Sequence, residues 1–95
     1  MTLTSAEKKS LKATAHHLTP VVAIGHKGVT PNLIQEIDGA LEQHELLKIR
    51  VHLGDKALRA TLAVQITTAL GGECIAHIGR VLIFYRKKKA ALLPA

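Results

Sequence analysis

Three stretches of this chain carry apolar residues at helical spacing, four carry them at strand spacing, and the two kinds interleave. After Thr4 and Glu7, whose separation forms a capping box, Leu11, Ala15 and Leu18 recur on one side of a helix. Lys8, Lys12 and His16 follow an i, i+4, i+8 line on the other side, with Lys9 beside them. Pro20 disfavours helical geometry in Thr19, so this helix is expected to end near Leu18. Residues 21–24 read as a short buried strand. Leu33, Ile34, Ile37, Ala40 and Leu41 then form the apolar stripe of a second helix over 31–44. Gly39 within it costs about 1 kcal/mol relative to alanine, which hints at close packing there.

Leu47, Ile49, Val51 and Leu53 alternate with Lys48, Arg50 and His52, as in a strand buried on one face only, with a basic wet face. Asp55 is placed to cap a third helix with Leu58, Leu62, Ile66, Ala69 and Leu70 on its apolar side, ended by Gly71 and Gly72. Strands at 74–78 and 81–85 flank Gly79-Arg80, a linker suited to a tight hairpin. Cys74, Ala76 and Ile78 alternate toward the core in this pattern. The order is α-β-α-β-α-β-β. It predicts one α/β domain over 1–86 with a mixed four-stranded sheet, two right-handed parallel β-α-β crossovers and an antiparallel terminal hairpin. The basic stretch 87–95 is expected to be a poorly ordered tail.

Between the first strand and the second helix lies Gly25-His26-Lys27-Gly28, a G-x-x-G turn, followed by Thr30 as N-cap and Pro31 at the first helical position. Glycines let a backbone approach a ligand closely, and a helix N-terminus offers unpaired N–H groups and a positive dipole end. Such a turn suits a phosphate.

Charge bears on which phosphate. The 95 residues carry a net charge of +6. Residues 31–45 contain Glu36, Asp38, Glu42 and Glu45 and no lysine or arginine. Every basic residue lies elsewhere, beside only Glu7, Asp55 and Glu73. One helix is acidic within basic surroundings, as in a protein with one binding side and one solvent side. Phe84 and Tyr85 are the only aromatic residues, too few to stack a series of exposed bases, so backbone recognition is favoured over base stacking.

Several function classes drop out. His44-Glu45-Leu46-Leu47-Lys48 begins like a zinc helix motif but has lysine where the second histidine belongs, and His16 and His17 point to different sides of a helix, so no metal is expected. The glycine turn lacks the spacing that cradles a nucleotide triphosphate, and no nucleophile–base–acid arrangement is visible. No enzyme activity, cofactor or small-molecule substrate is expected. A lone cysteine, no eighteen-residue apolar run and no signal-peptide pattern lead us to expect a cytoplasmic protein without a membrane span.

The order of elements, together with Leu11-Lys12, Ala15-His16, Leu18, Pro20-Val21-Val22, Ile24-Gly25 and Gly28, resembles the CRM domain (chloroplast RNA splicing and ribosome maturation). Glu36-Ile37, Ala40-Leu41, His44-Glu45-Leu46, Lys48-Ile49-Arg50-Val51, Gly71-Gly72, Ile78-Gly79, Leu82 and Tyr85-Arg86 continue the pattern, which spans roughly residues 3–86 in the bacterial single-domain (YhbY-type) form. The resemblance implies a fold similar to the C-terminal domain of translation initiation factor three with an added N-terminal helix. It also implies RNA binding, association with precursors of the large ribosomal subunit, and contact with RNA through Gly25, His26, Lys27 and Gly28. Lys12, Lys48, Arg50, Arg80 and Arg86 are candidate extensions of that surface. Two other readings stay open: a DNA-binding architectural protein, and a ribosome-associated factor whose acidic helix docks a basic protein. A monomer is expected.

Overall fold

A computed structural model describes residues 3–52 and 54–87. Its elements follow the predicted order: α1 Ser5–Ala15, β1 Val22–Ile24, α2 Pro31–His44, β2 Leu46–Val51, α3 Lys56–Leu70, β3 Glu73–Ile78 and β4 Val81–Tyr85. Each helix begins at its predicted cap. Thr4 accepts from Glu7 N–H at 3.1 Å while Glu7 accepts from Thr4 N–H at 2.9 Å, which holds the exposed Glu7 carboxyl below the usual carboxylate range. Thr30 and Asp55 accept from Leu33 and Leu58 N–H at 3.1 and 2.9 Å.

The four strands form one sheet in the order β1-β2-β4-β3. β1 runs parallel to β2, while β4 is antiparallel to both β2 and β3. Both crossovers thus join strands that run in the same direction, as expected. β2 and β3 point the same way but are not neighbours, because β4 folds back between them. One face of the sheet packs on α2 and α3 around Val22, Ile24, Ile37, Leu41, Leu47, Ile49, Val51, Leu62, Ala63, Ile66, Leu82 and Phe84. Among the described residues no helix is long and apolar enough to cross a membrane.

The other face is not open, as the basic alternation of β2 suggested. α1 lies over it, with Ala15 of the helix, Leu3 just before it and Ile83 of β4 buried. Glu73 anchors α1, accepting from Leu3 N–H at 3.3 Å and pairing with Lys8 Nζ at 3.7 Å. α1 stops at Ala15 rather than near Leu18. Its last turn tightens, with His17 and Leu18 N–H donating three residues back to Thr14 and Ala15, and Leu18 is left partly exposed.

Local packing corrects four further expectations. β2 ends at Val51, and Leu53 lies outside the described residues, as does the tail beyond Lys87. In α3, Leu58 and Ala69 are exposed, the buried side being Leu62, Ala63 and Ile66. Gly39 is exposed, and a Cβ there would meet nothing within 4 Å, so it serves no close packing. A bulge between Cys74 and Ala76 shifts the phase of β3: Cys74 pairs with Phe84 on the core face, whereas Ala76 and Ile78 pair with Ile83 and Val81 on the α1 face. Cys74 does pack against the core, but Ile78 is 51% exposed.

Two glycines make opposite predictions. Gly39→Ala should raise the unfolding free energy by about 1 kcal/mol, since only helix propensity changes. Gly72→Ala should lower it by about 2 kcal/mol, because the new Cβ would sit 2.5 Å from Tyr85 O and 2.8 Å from Arg86 Cβ. Urea unfolding followed by circular dichroism measures both.

Candidate nucleic-acid interface

Because β1, β2 and β3 point the same way, their C-terminal ends share one edge of the sheet. Three connections meet there: the turn at 25–28, the link after β2, and the hairpin at Gly79-Arg80. Ile24 O accepts from His52 N–H at 2.9 Å, Arg80 O accepts from Val51 N–H at 2.7 Å, and Arg80 Nη1 reaches His52 O at 3.5 Å. This edge carries the exposed side chains of His26, Lys27, His52, Lys56 and Arg80. α2 and α3 both begin at it, so both helix dipoles turn their positive ends toward it.

The glycine turn is closed by its own hydrogen bond, Gly28 N–H donating to Gly25 O at 3.0 Å. That bond occupies the Gly28 donor. Gly28 sits at φ +65°, where residues with a Cβ are strained. Gly25 has no such need: its φ is not in that region, and a Cβ there would meet nothing within 4 Å. At the start of α2 the Leu33 amide is spent on Thr30 and Pro31 has none, which leaves Asn32 N–H to the outside.

Arg59, one turn into α3, donates from Nη1 to Gly54 O at 2.9 Å and from Nε to His77 Nε2 at 3.1 Å. Lys56 and Arg59 are not singled out by periodicity or by the glycine motif. Topology signals them, since a helix that follows a strand of a parallel pair starts at the same edge as the loop of its neighbour.

Lys12 and Lys48 come together elsewhere. With His16, Ile78, Val81 and Ile83 they line a hollow of about 180 Å³ between α1 and the sheet. Lys48 is half-buried and donates from Nζ to Leu18 O at 3.2 Å. Arg50, two residues along β2 on the same face, is exposed and lies between this hollow and the loop edge. The line Lys8, Lys12 and His16 thus borders the seam of helix and sheet instead of facing away from it.

Arg86 does not belong to the exposed basic surface. It is 8% exposed and lies at the opposite edge of the sheet. Its Nη1 donates to Asp38 Oδ1 at 2.7 Å and Leu70 O at 3.1 Å, and its Nη2 to Asp38 O at 3.2 Å and Glu42 Oε2 at 3.3 Å. Both terminal nitrogens are directed inward, and Nε, which has no partner, is itself buried, so the guanidinium does not face an outside phosphate. The acidic end of α2 is therefore partly offset within the fold, and the sheet separates charge from edge to edge.

Among the described residues no three His, Cys, Asp or Glu side chains are grouped to hold a metal ion. Burial pushes the Cys74 thiol up from its ordinary value, which keeps it protonated at neutral pH and poor as a nucleophile.

Comparison with known proteins gives consistent matches. The profile of the CRS1 / YhbY (CRM) domain matches residues 3–86. An RNA-binding protein of Haemophilus influenzae is 36% identical over 90 residues, covering 95% of this chain and 91% of that protein. A Bacillus subtilis protein named "probable RNA-binding protein YqeI" is 32% identical over 87 residues, covering 92% and 91%. The solution structure of a Staphylococcus aureus protein superposes with a TM-score of 0.82 at 33% identity, covering 93% of this chain and 92% of that one.

The two arginines assigned to opposite roles differ measurably. Arg86→Gln should lower the unfolding free energy by about 2 kcal/mol, through lost hydrogen bonds to charged groups. Arg50→Gln should stay within about 0.5 kcal/mol of the wild type. Thermal and urea unfolding of both variants check this.

Proposed function

The chain belongs to the CRS1 / YhbY (CRM) domain family, and on that premise we propose that it is a non-catalytic RNA-binding protein acting in maturation of the large ribosomal subunit. The observation that carries the reading is the gathering of His26, Lys27, His52, Lys56 and Arg80 at one edge of the sheet, while Arg86 pairs with Asp38 and Glu42 at the acidic edge opposite. RNA backbone approaches the turn at Gly25–Gly28. Lys27 neutralises a phosphate there, and the Asn32 amide and the positive ends of α2 and α3 add to the field. Arg50 and Arg80 extend the footprint along the backbone, and Lys12 and Lys48 continue it across the α1 face. The matched relatives named for RNA binding support RNA as the partner class, and the family's link to ribosome maturation supports the precursor particle as its source. Docking of a basic protein on α2 is disfavoured, since Asp38 and Glu42 already bind Arg86.

Affinity for structured RNA should fall steeply with salt, and Lys27→Gln should make the log–log slope shallower by about one. Gly25→Ala should keep wild-type stability yet weaken binding several-fold, because its methyl meets open space in the protein and only a ligand can collide with it. Fluorescence anisotropy across a salt series, with duplex DNA as competitor at matched salt, measures these effects. Preference for the DNA, or unchanged binding by both variants, would overturn the reading.

A further inference from the structure

We infer that the hollow between α1 and the sheet is a seat for a single unstacked nucleotide of the bound RNA, its base on an aliphatic floor and its phosphates on a basic rim. The inference rests on the RNA-binding reading and adds to it a second site with its own ligand chemistry. The floor is formed by Ile78, Val81 and Ile83, and the rim by Lys12, His16 and Lys48. At about 180 Å³ the space is on the scale of one nucleobase.

Three features point to a ligand of this kind. Ile78, 51% exposed, adjoins Val81 and Ile83 in one apolar floor rimmed by cations, a contiguous patch of the kind that marks a binding surface. Its placement comes from the bulge between Cys74 and Ala76; with unbroken alternation Ile78 would share the core face with Cys74. Bulges commonly re-aim a side chain beside a functional site. The rim charges complement a phosphodiester, and Lys48 is held in place by its bond to Leu18 O, leaving two ammonium hydrogens to donate.

An apolar floor under a cationic rim fits a base and its flanking phosphates better than continuous duplex, whose bases are stacked inside. It also gives a chain with two aromatic residues a way to recognise an extruded base, because the flat face of any base can lie on aliphatic side chains. Arg50 connects this hollow to the loop edge on the same face of β2. A strand could thus run from Lys27 past Arg50 and place its unpaired nucleotide against Ile78.

The test uses an RNA hairpin with one bulged nucleotide, each base in turn, and the same hairpin fully paired. Wild-type protein should bind at least one bulged form about tenfold more tightly than the paired form. Ile78→Asn, at a half-exposed position, should reduce that preference below about twofold and leave affinity for the paired hairpin unchanged. Lys27→Gln should weaken both hairpins alike. A 4-thiouridine at the bulge should crosslink to the peptide holding Ile78. Equal binding of all hairpins by the wild type, or a preference that survives Ile78→Asn, would overturn the nucleotide seat and leave the loop reading standing. Binding of neither hairpin would remove both. Concentration-dependent dimerisation abolished by Ile78→Asn would assign the hollow to a second copy of the chain instead.

Discussion

The parallel pairing of β1 with β2 is the constraint on which the arrangement depends. β1 contributes only Val22–Ile24, yet its register with Ile49, Arg50 and Val51 fixes where its C-terminal end emerges. Were β1 antiparallel, the glycine turn would open at the edge that holds Glu45 and Arg86. Parallel pairing instead places it beside the link after β2, and the β3–β4 hairpin joins them through the bond between Val51 N–H and Arg80 O. Short as it is, β1 is secured by its apolar side chains, with Val22 and Ile24 buried against α2.

Separation of charge follows from the same geometry. α2 and α3 both start at the loop edge and run back, so their negative ends converge where β4 finishes. There Arg86 binds two carboxylates and two carbonyls at once. Gly72 makes room for it, since a side chain at that position would strike Arg86 Cβ and Tyr85 O. A cation used in this way contributes to folding and not to binding. At the other edge only Arg59 is tied inward, to Gly54 O and His77, while Lys27 and Lys56 are exposed and Arg80 meets a backbone carbonyl at 3.5 Å.

Much of this was legible in the chain because it is written locally. Caps at Thr4, Thr30 and Asp55, the alternation of Leu47 to Val51 and the Gly79-Arg80 turn each depend on neighbours a few residues away. What escaped depends on contacts distant in sequence. Arg86 reads as one more cation of the RNA-facing surface until the fold brings Asp38 and Glu42 to it across more than forty positions. The phase of Ile78 cannot be read from alternation, because the bulge that reverses it leaves no unambiguous residue signature. Lys56 and Arg59 needed the strand direction, which periodicity does not encode. The glycine turn is legible in its spacing, whereas its internal bond from Gly28 to Gly25 is not.

On the proposed reading, one edge of this sheet meets RNA while the other serves the fold. Titration of the isotope-labelled protein with a structured ribosomal RNA fragment, followed amide by amide by NMR, tests it most directly. Shifts should be concentrated at residues 25–28, 50–52, 56–59 and 79–81, weakening as salt is added, with Glu42, Glu45 and Gly72 unmoved. Shifts centred on the end of α2 and Arg86, with the 25–28 turn silent, would contradict it.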